Sequence, residues 1–153
     1  MSDEGIKVVA RNRKAEHEYF LDDRFEAGMV LRGTEIKSIR AGQVSLQEAF
    51  VALDAGEAWL YGAHIAPYEP ASSANHDPIR RRKLLLHRRE LRNLQRDVRQ
   101  KGYTLVPTRL YLKDGRAKLE VALAKGKRKY DKRAKLKERE AERQVERALS
   151  QRR

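Results

Sequence analysis

The stretch YTLVPTRLYLKDGRAKLEVALAK, residues 103–125, places two runs of β-forming residues on either side of Asp114 and Gly115. An Asp-Gly pair suits a two-residue turn whose backbone needs positive φ, so the stretch predicts an antiparallel hairpin. In its second strand apolar residues alternate with polar or small ones, and alternate residues point to opposite faces of a sheet. The apolar set is Leu119, Val121 and Leu123, and the other set is Lys118, Glu120 and Ala122. We expect the first set to face the core and the second to face solvent or a partner.

Further strands are predicted upstream of this hairpin. AFVALD and EAWLYGAH, residues 49–54 and 57–64, are separated by the turn-forming pair Ala55 and Gly56 after Asp54 and predict a second hairpin. EYFLD and FEAGMVLRG predict two more strands, and Gly28 in the latter indicates a bulge or a close backbone approach.

Two helices are predicted between the strands. The first lies in GTEIKSIRAG, residues 33–42, where Thr34 suits the N-cap and Gly42 suits a left-handed C-terminal position. The second runs from about residue 88 to residue 101 with its leucines on one face, and it ends at Gly102. Five or six short antiparallel strands with two or three interleaved helices predict a mainly β fold. We expect a small OB-like β-barrel, closed or nearly closed, because closure leaves few exposed strand edges.

Composition limits the class of protein. A chain of 153 residues holds one domain of modest core, and the absence of cysteine excludes disulfides and thiolate metal sites. No apolar run reaches the roughly 18 to 20 residues that a membrane span needs. The opening MSDEGIKVVA has neither the basic start nor the apolar middle of a signal peptide, so we expect a cytoplasmic protein.

The positive charge is concentrated in the second half of the chain. Residues 1–80 carry 9 Lys and Arg against 13 Asp and Glu, whereas residues 81–153 carry 26 against 9. The resulting net charges of −4 and +17 agree with the total of +13. Such asymmetry indicates a polyanionic partner, and nucleic acid is favoured over a membrane because the body has no amphipathic insertion face.

The C-terminal segment from Lys125 is distinct from the rest. AKGKRKYDKRAKLKERE, residues 124–140, contains helix-forming residues but few apolar ones. We therefore divide the chain into an RNA-binding barrel, residues 1–124, and a basic tail, residues 125–153. The tail is expected to be disordered when free and helical when bound, since an isolated helix of this length is marginal in water. Tyr130 either stacks on an unpaired base or packs back against the barrel.

Catalytic chemistry is not indicated. The four histidines His17, His64, His76 and His87 show no spacing typical of a metal site or an acid–base pair. Asp77 and Pro78 after His76 are typical of a turn. We expect a protein that is not an enzyme, has no cofactor or metal and takes no small-molecule substrate. A nuclease built on His17 or His76 is the alternative from another functional class.

A second basic cluster, IRRRKLLLHRRELRNLQR, occupies residues 79–96. One interpretation is a core strand over residues 84–86 with solvated arginines around it, and the other is a fixed basic surface that follows phosphates. Both hold if the leucines lie inside and the arginines lie outside. The arginines expected outside are Arg80, Arg81, Arg82, Arg88, Arg89 and Arg92.

Several segments together resemble the SsrA-binding protein family, also called small protein B, over nearly the whole chain. In order along the chain they are NRKAEHEYF, FEAGMVLRGTEIKSIRAG, GEAWLYGAHIAPYEP, RRRKLLLHRREL, KGYTLVPTRLYLKDG and ALAKGKRKYDKR. The resemblance implies a monomeric bacterial cytoplasmic protein that binds the tRNA-like domain of transfer-messenger RNA. It also implies delivery of that RNA to stalled ribosomes, with the tail in the decoding centre and message channel of the small subunit. The alternative is a general RNA-binding or ribosome-associated protein without this specificity.

The resemblance also implies which residues make contact. In the body the matching RNA-contacting positions are Asn12, Glu26 and Leu85, to which we add Arg81, Arg82, Arg88 and Arg89 from the basic cluster. Glu26 has the alternative of orienting a bulge at Gly28, and Leu85 has the alternative of a core position. The ribosome-binding tail positions are Lys125, Gly126, Lys127, Lys129, Tyr130, Asp131, Lys132 and Arg133. Gly126 is expected to allow a bend where the chain leaves the barrel.

Overall fold

A computed structural model describes residues 5–127, Arg139, residues 143–145 and Arg147. Within these residues the strands are β1 (Ile6–Arg11), β2 (Tyr19–Met29), β3 (Val44–Ser45), β4 (Phe50–Asp54), β5 (Glu57–Tyr61), β6 (His64–Ile65), β7 (Arg82–Leu85), β8 (Thr104–Lys113) and β9 (Arg116–Gly126). The α-helices are α1 (Arg13–Glu18), α2 (Gly33–Arg40) and α3 (Arg88–Lys101), and a 3-10 helix spans Glu69–Ala74.

Seven of the strands form one antiparallel sheet in the order β1-β8-β4-β5-β7-β2-β9, in which β9 also pairs with β8. The predicted mainly β, antiparallel fold is confirmed. The contact between β4 and β8 consists of one residue pair, Val51 with Leu105. Because the ladder is so short at this point, the sheet is not a closed barrel, and the closed form of our prediction is wrong.

Both predicted hairpins are present. Asp114 and Gly115 take φ of 50° and 77° between β8 and β9. Ala55 and Gly56 take φ of 51° and 77° between β4 and β5. These left-handed conformations are those that a two-residue hairpin turn requires.

The sheet encloses the main core, but the opposite face of β9 is also covered. Leu119, Val121 and Leu123 are buried, as predicted. Ala122 is buried as well, in a second cluster with Ala15 of α1. The prediction that this second face of β9 meets solvent or a partner is therefore wrong at Ala122 and at Glu120, which is also buried. The sequence pattern gave no sign of α1, the helix that covers Ala122.

Strand β2 replaces the two strands predicted from EYFLD and FEAGMVLRG. Its pairing with β9 is continuous except for an irregularity between Leu21 and Arg24. Gly28 pairs with Leu85 of β7, and a Cβ at this glycine would lie 3.3 Å from the Leu85 Cβ. Gly28 thus marks the close backbone approach that we considered, and the bulge lies elsewhere in the strand.

Helix α3 has the predicted bounds and ends at Gly102, whose φ is 69°. Helix α2 begins earlier than predicted, because its N-cap is Arg32. The Arg32 backbone N–H donates to the Glu35 carboxylate over 2.8 Å, which satisfies a donor at the helix start. Thr34 is therefore not the N-cap, and its hydroxyl hydrogen-bonds to His76 instead.

Strand β7 divides the basic cluster between two faces. Arg82 and Leu84 are buried, whereas Leu85 is 52% exposed. The predicted outward position of Arg82 and inward position of Leu85 are both wrong. Alternate residues of a strand face opposite sides, and the inward positions of this strand belong to the even-numbered residues.

Arg82 is accommodated in the interior by a carboxylate and backbone carbonyls. Its Nε donates to Glu35 Oε2 over 2.6 Å. Its Nη1 donates to the Ala63 carbonyl over 2.7 Å and its Nη2 to the Pro78 carbonyl over 3.0 Å. Arg80 supplies a second guanidinium to Glu35 Oε1, with Nε at 3.2 Å. The buried charges are therefore paired and hydrogen-bonded, as a low-dielectric interior requires.

Burial alone raises the pKa of Glu35, but the hydrogen bonds from Arg80, from the Arg32 backbone and from Arg82 outweigh it. The pKa of the folded-state carboxyl therefore lies below its ordinary value. A depressed carboxyl pKa contributes stability that is present above the unfolded-state pKa and is lost as the pH falls through the folded-state value. Glu35 therefore favours the folded state at neutral pH.

We predict that Glu35→Gln lowers the free energy of unfolding at pH 7 by about 3–5 kcal/mol, because it leaves two guanidinium groups without their carboxylate. The matched control is Glu57→Gln, which removes a half-exposed carboxylate 2.8 Å from Lys83. The control is expected to cost at most about 1 kcal/mol. Urea unfolding from pH 7 to pH 3 measures both, and the difference between wild type and Glu35→Gln should shrink toward acid. Equal, small losses in the two variants would contradict a stabilising role for the buried pair.

Candidate nucleic-acid interface

Two of the predicted RNA-contacting residues lie on one outward face of the sheet. Leu85 of β7 pairs with Gly28 of β2, and Glu26 lies two residues along β2 from Gly28. Residues two apart in a strand share a face, so Glu26 and Leu85 are neighbours across the two strands. The alternative core position for Leu85 is wrong, since half of this leucine is exposed.

Glu26 is held by residues of β8. The Tyr111 hydroxyl donates to Glu26 Oε2 over 2.5 Å, and Lys113 Nζ lies 3.5 Å from the same oxygen. The Tyr111 hydrogen bond is the largest cause of a lowered pKa at Glu26. Burial and the hydrogen bond to Glu26 raise the pKa of Tyr111, so the phenol remains a donor.

This arrangement presents Glu26 as an ionised hydrogen-bond acceptor. Within the described part of the chain Oε1 has no hydrogen-bond partner, and the side chain is 30% exposed. The carboxylate contacts β8 and does not support a bulge at Gly28, so that alternative is wrong. A fixed acceptor of this kind suits base-edge N–H groups or ribose hydroxyls.

Asn12 is located differently from Glu26 and Leu85. It is buried, its Oδ1 accepts from the Ala15 N–H over 3.2 Å, and its Nδ2 donates to the Pro107 carbonyl over 2.8 Å. These bonds make Asn12 the N-cap of α1 and tie that helix to β8. The described geometry gives this amide a structural role, and its contact with RNA stays a prediction.

The predicted arginines also separate into two groups. Arg81, Arg88 and Arg89 are exposed, whereas Arg82 is committed to Glu35 in the interior. Arg88 and Arg89 occupy the first turn of α3, where cations are disfavoured by the helix dipole. Their positive charge therefore does not stabilise the helix, and it is available to attract phosphate.

The beginning of the tail is attached to the body. Strand β9 continues to Gly126, which pairs with Tyr19, so the predicted bend at Gly126 is wrong. Lys125 Nζ lies 4.6 Å from the centre of the Tyr103 ring, and Lys127 Nζ donates to the Glu16 carbonyl over 3.1 Å. The other predicted tail residues lie outside the described residues. They are Lys129, Tyr130, Asp131, Lys132 and Arg133.

His76, one of the two histidines that motivated a nuclease alternative, has both ring nitrogens engaged. His76 Nε2 lies 2.9 Å from the Ile65 carbonyl, which can only accept, so this nitrogen is the donor. Nδ1 then accepts from the Thr34 hydroxyl over 2.8 Å. Asp77 accepts from the Ile79 N–H in the predicted turn. Among residues 5–127 and the other described positions, no group of three or more His, Asp or Glu is arranged to hold a metal.

Sequence reasoning missed several side chains near this face. Tyr111 and Lys113 are 85 and 87 residues from Glu26, so only the pairing of distant strands reveals their contact. Aromatic residues on the outward face of β4 and β5 were also missed, namely the exposed Phe50 and the half-buried Trp59 and Tyr61. Their alternation with buried residues in the hairpin of residues 49–64 was a signal for these aromatic residues, because it places them on the outward face.

Helices within the described ranges are too short or too polar to cross a membrane.

The family model described as SmpB protein matches residues 9–151. The SsrA-binding protein of Geobacillus kaustophilus (strain HTA426) is 55% identical over 146 residues, covering 95% of this chain and 94% of that protein. The SsrA-binding protein of Halothermothrix orenii is 51% identical over 152 residues, covering 99% and 98%.

A solved structure points to the same family. It is described as "tmRNA-SmpB: a journey to the center of the bacterial ribosome", and one of its chains is 48% identical to this chain with a TM-score of 0.65. The match covers 80% of this chain and 85% of that chain. Together with the family match over residues 9–151, these similarities show that the chain belongs to the SmpB family of SsrA-binding proteins.

Proposed function

We propose that this protein binds transfer-messenger RNA through the RNA's tRNA-like domain and delivers it to stalled ribosomes. Relatives that share more than half of its residues are named for binding SsrA, the transfer-messenger RNA. The related solved structure is described as tmRNA with SmpB in the bacterial ribosome. The observation in this chain that carries the proposal is the outward face on which the fixed Glu26 carboxylate and the exposed Leu85 lie together.

Each part of this face supplies a different interaction. Glu26 Oε1 accepts a hydrogen bond from a base edge or a 2′-hydroxyl, while Tyr111 and Lys113 hold Oε2. Leu85 offers an apolar contact for a base or a ribose. The exposed Arg88 and Arg89 attract phosphates and add salt-dependent affinity, whereas Arg81 is paired with Asp54. Recognition of this RNA therefore depends on the carboxylate and the leucine, and the arginines contribute attraction to any RNA.

The chain acts as two RNA-binding parts, an OB-like body of residues 1–124 and a tail of residues 125–153. Neighbouring strands pair in the order β8-β4-β5-β7-β2-β9, and β9 pairs back with β8. Strands β4 and β8 meet at only one residue pair. This arrangement supports an open OB-like fold for the body. The tail carries 13 Lys and Arg against 5 Asp and Glu. After Lys127, we propose that the tail folds as a helix on the small-subunit RNA and lies in the decoding centre and message channel.

The protein works as a monomeric cytoplasmic binding protein and performs no chemistry on the RNA itself. The internal hydrogen bonds of His76 support a structural role for the histidine that resembled a catalytic candidate. A general RNA-binding protein would share the arginines and the tail but would not need a carboxylate fixed in the centre of its binding face. This difference separates the two functions experimentally.

We predict that Glu26→Gln weakens binding to the tRNA-like domain by about 10-fold or more, because a charged hydrogen bond of about 1.5–3 kcal/mol is lost. Tyr111→Phe is expected to weaken it by a smaller factor, since the carboxylate remains but loses its fixed orientation. Glu48→Gln, which removes an exposed carboxylate paired with Lys14, is the control and should leave binding unchanged. Fluorescence anisotropy with ordinary tRNA as competitor measures all three. Equal affinity of the wild type for both RNAs would support the general RNA-binding alternative.

We predict that a chain truncated after Lys127 binds the tRNA-like domain within about threefold of the full chain, because β9 and its pairing with Tyr19 remain intact. The same truncation should abolish rescue of stalled ribosomes in a reconstituted translation assay. The salt dependence of binding should be shallower in the truncated chain, since fewer cations approach phosphates. If truncation removes binding to the tRNA-like domain altogether, the two-part proposal is wrong.

A further inference from the structure

Aromatic and cationic side chains cover the outward face of β4, β5 and β7. We call this surface the aromatic platform, and it consists of Phe50, Trp59, Tyr61, Arg81 and Lys83. The intervening residues of the same strands are buried in the core, among them Val51, Leu60 and Leu84. The alternation is consistent across all three strands, so the platform is a continuous side of the sheet.

Phe50 and Tyr61 form a preassembled stack on the platform. They are directly paired across β4 and β5, and their rings lie 11° from parallel with centroids 5.2 Å apart. Phe50 is nevertheless 52% exposed. Cross-strand packing accounts for the contact between the two rings, but it gives no stabilising reason for leaving half of a phenylalanine in water.

Arg81 extends the stack toward Trp59. The centre of its guanidinium lies over the indole, 4.0 Å from the ring centroid. The same group donates to the Tyr61 hydroxyl and to Asp54 Oδ2, each over 3.3 Å. The guanidinium therefore lies over the indole and is tied at one nitrogen to the Tyr61 hydroxyl, and its 48% exposed side chain leaves the other planar side open to stacking.

The charge of the platform favours bases over phosphates. Arg81 is paired with Asp54, and Lys83 is paired with Glu57 at 2.8 Å. Two cations beside two carboxylates leave little local excess of positive charge to attract a phosphate backbone. Ring faces and a guanidinium plane are what remains, and these recognise the π-faces of unpaired bases.

The platform is continuous with the face described above. Leu85 follows Lys83 on the outward side of β7, and across the strand boundary Leu85 meets Gly28 on the strand of Glu26. An RNA that reaches Glu26 and Leu85 therefore has an unbroken path across β7 onto β5 and β4. We propose that the aromatic platform stacks unpaired bases of the RNA that the body binds. This inference rests on the proposed function for the identity of the RNA.

Trp59 provides the test, because it is the sole tryptophan in the sequence. The full chain is titrated with a single-stranded octaadenylate and with an RNA duplex of equal length while tryptophan emission is recorded. Octaadenylate should quench Trp59 and the duplex should not, since paired bases have no free faces.

Two variants separate stacking from attraction. Phe50→Leu combined with Tyr61→Leu keeps apolar side chains but removes two rings, and it should weaken the quenching titration roughly tenfold, as expected for loss of one stacked base. Arg81→Lys keeps the charge but removes the guanidinium plane and should also weaken it. Phe20→Leu, at an exposed phenylalanine of β2 outside the platform, is the matched control and should behave as wild type. Thermal unfolding establishes that each variant is folded.

The outcomes distinguish this inference from the proposed function. If labelled octaadenylate binds the chain and Trp59 does not respond, or if the duplex quenches equally, the platform is not a base-stacking site. Unchanged titration of both platform variants would also overturn it. If Trp59 is quenched as described while the tRNA-like domain shows no preference over ordinary tRNA, the platform is supported and the proposed function fails.

Discussion

The buried pairing of Arg82 with Glu35 fixes the register of β7, and the surface of the protein depends on that register. A guanidinium in the interior requires its carboxylate partner, which is located on α2, together with carbonyls of Ala63 and Pro78. A shift of β7 by one residue would exchange its two faces. Arg82 would then lose these partners, and Leu85 would turn away from the face that carries Glu26. One ion pair thus connects folding to the placement of the proposed RNA-binding face.

The second consequence is a division of tasks among charged groups. Arg82 and Glu35 are used to hold the fold together, and the first-turn arginines of α3 are located where they gain nothing for stability. Glu26 is an acceptor held in place by Tyr111. A basic protein that displays an oriented carboxylate and exposed rings has the means to distinguish one RNA from another, whereas positive charge alone provides only affinity.

Much of the fold was predictable because the deciding information is local. The Asp114 and Gly115 turn, the Ala55 and Gly56 turn and the end of α3 at Gly102 follow from backbone preferences of a few adjacent residues. The errors arose where a distant group decided the outcome. Thr34 bonds to His76 rather than capping α2, and α1 is capped by an asparagine that also bonds to β8.

The sequence by itself determined the class of fold and the concentration of positive charge in the second half, and its family resemblance predicted Glu26 and Leu85 as contact residues. These depend on alternation, composition and motif order, all of which are properties of a linear chain. Only the tertiary structure decided which arginine is interior, what orients Glu26 and that Trp59, Tyr61 and Arg81 meet. Each of those outcomes depends on a partner that strand pairing brings close, and in a sequence with 37% charged residues many pairings are chemically possible before the sheet selects one.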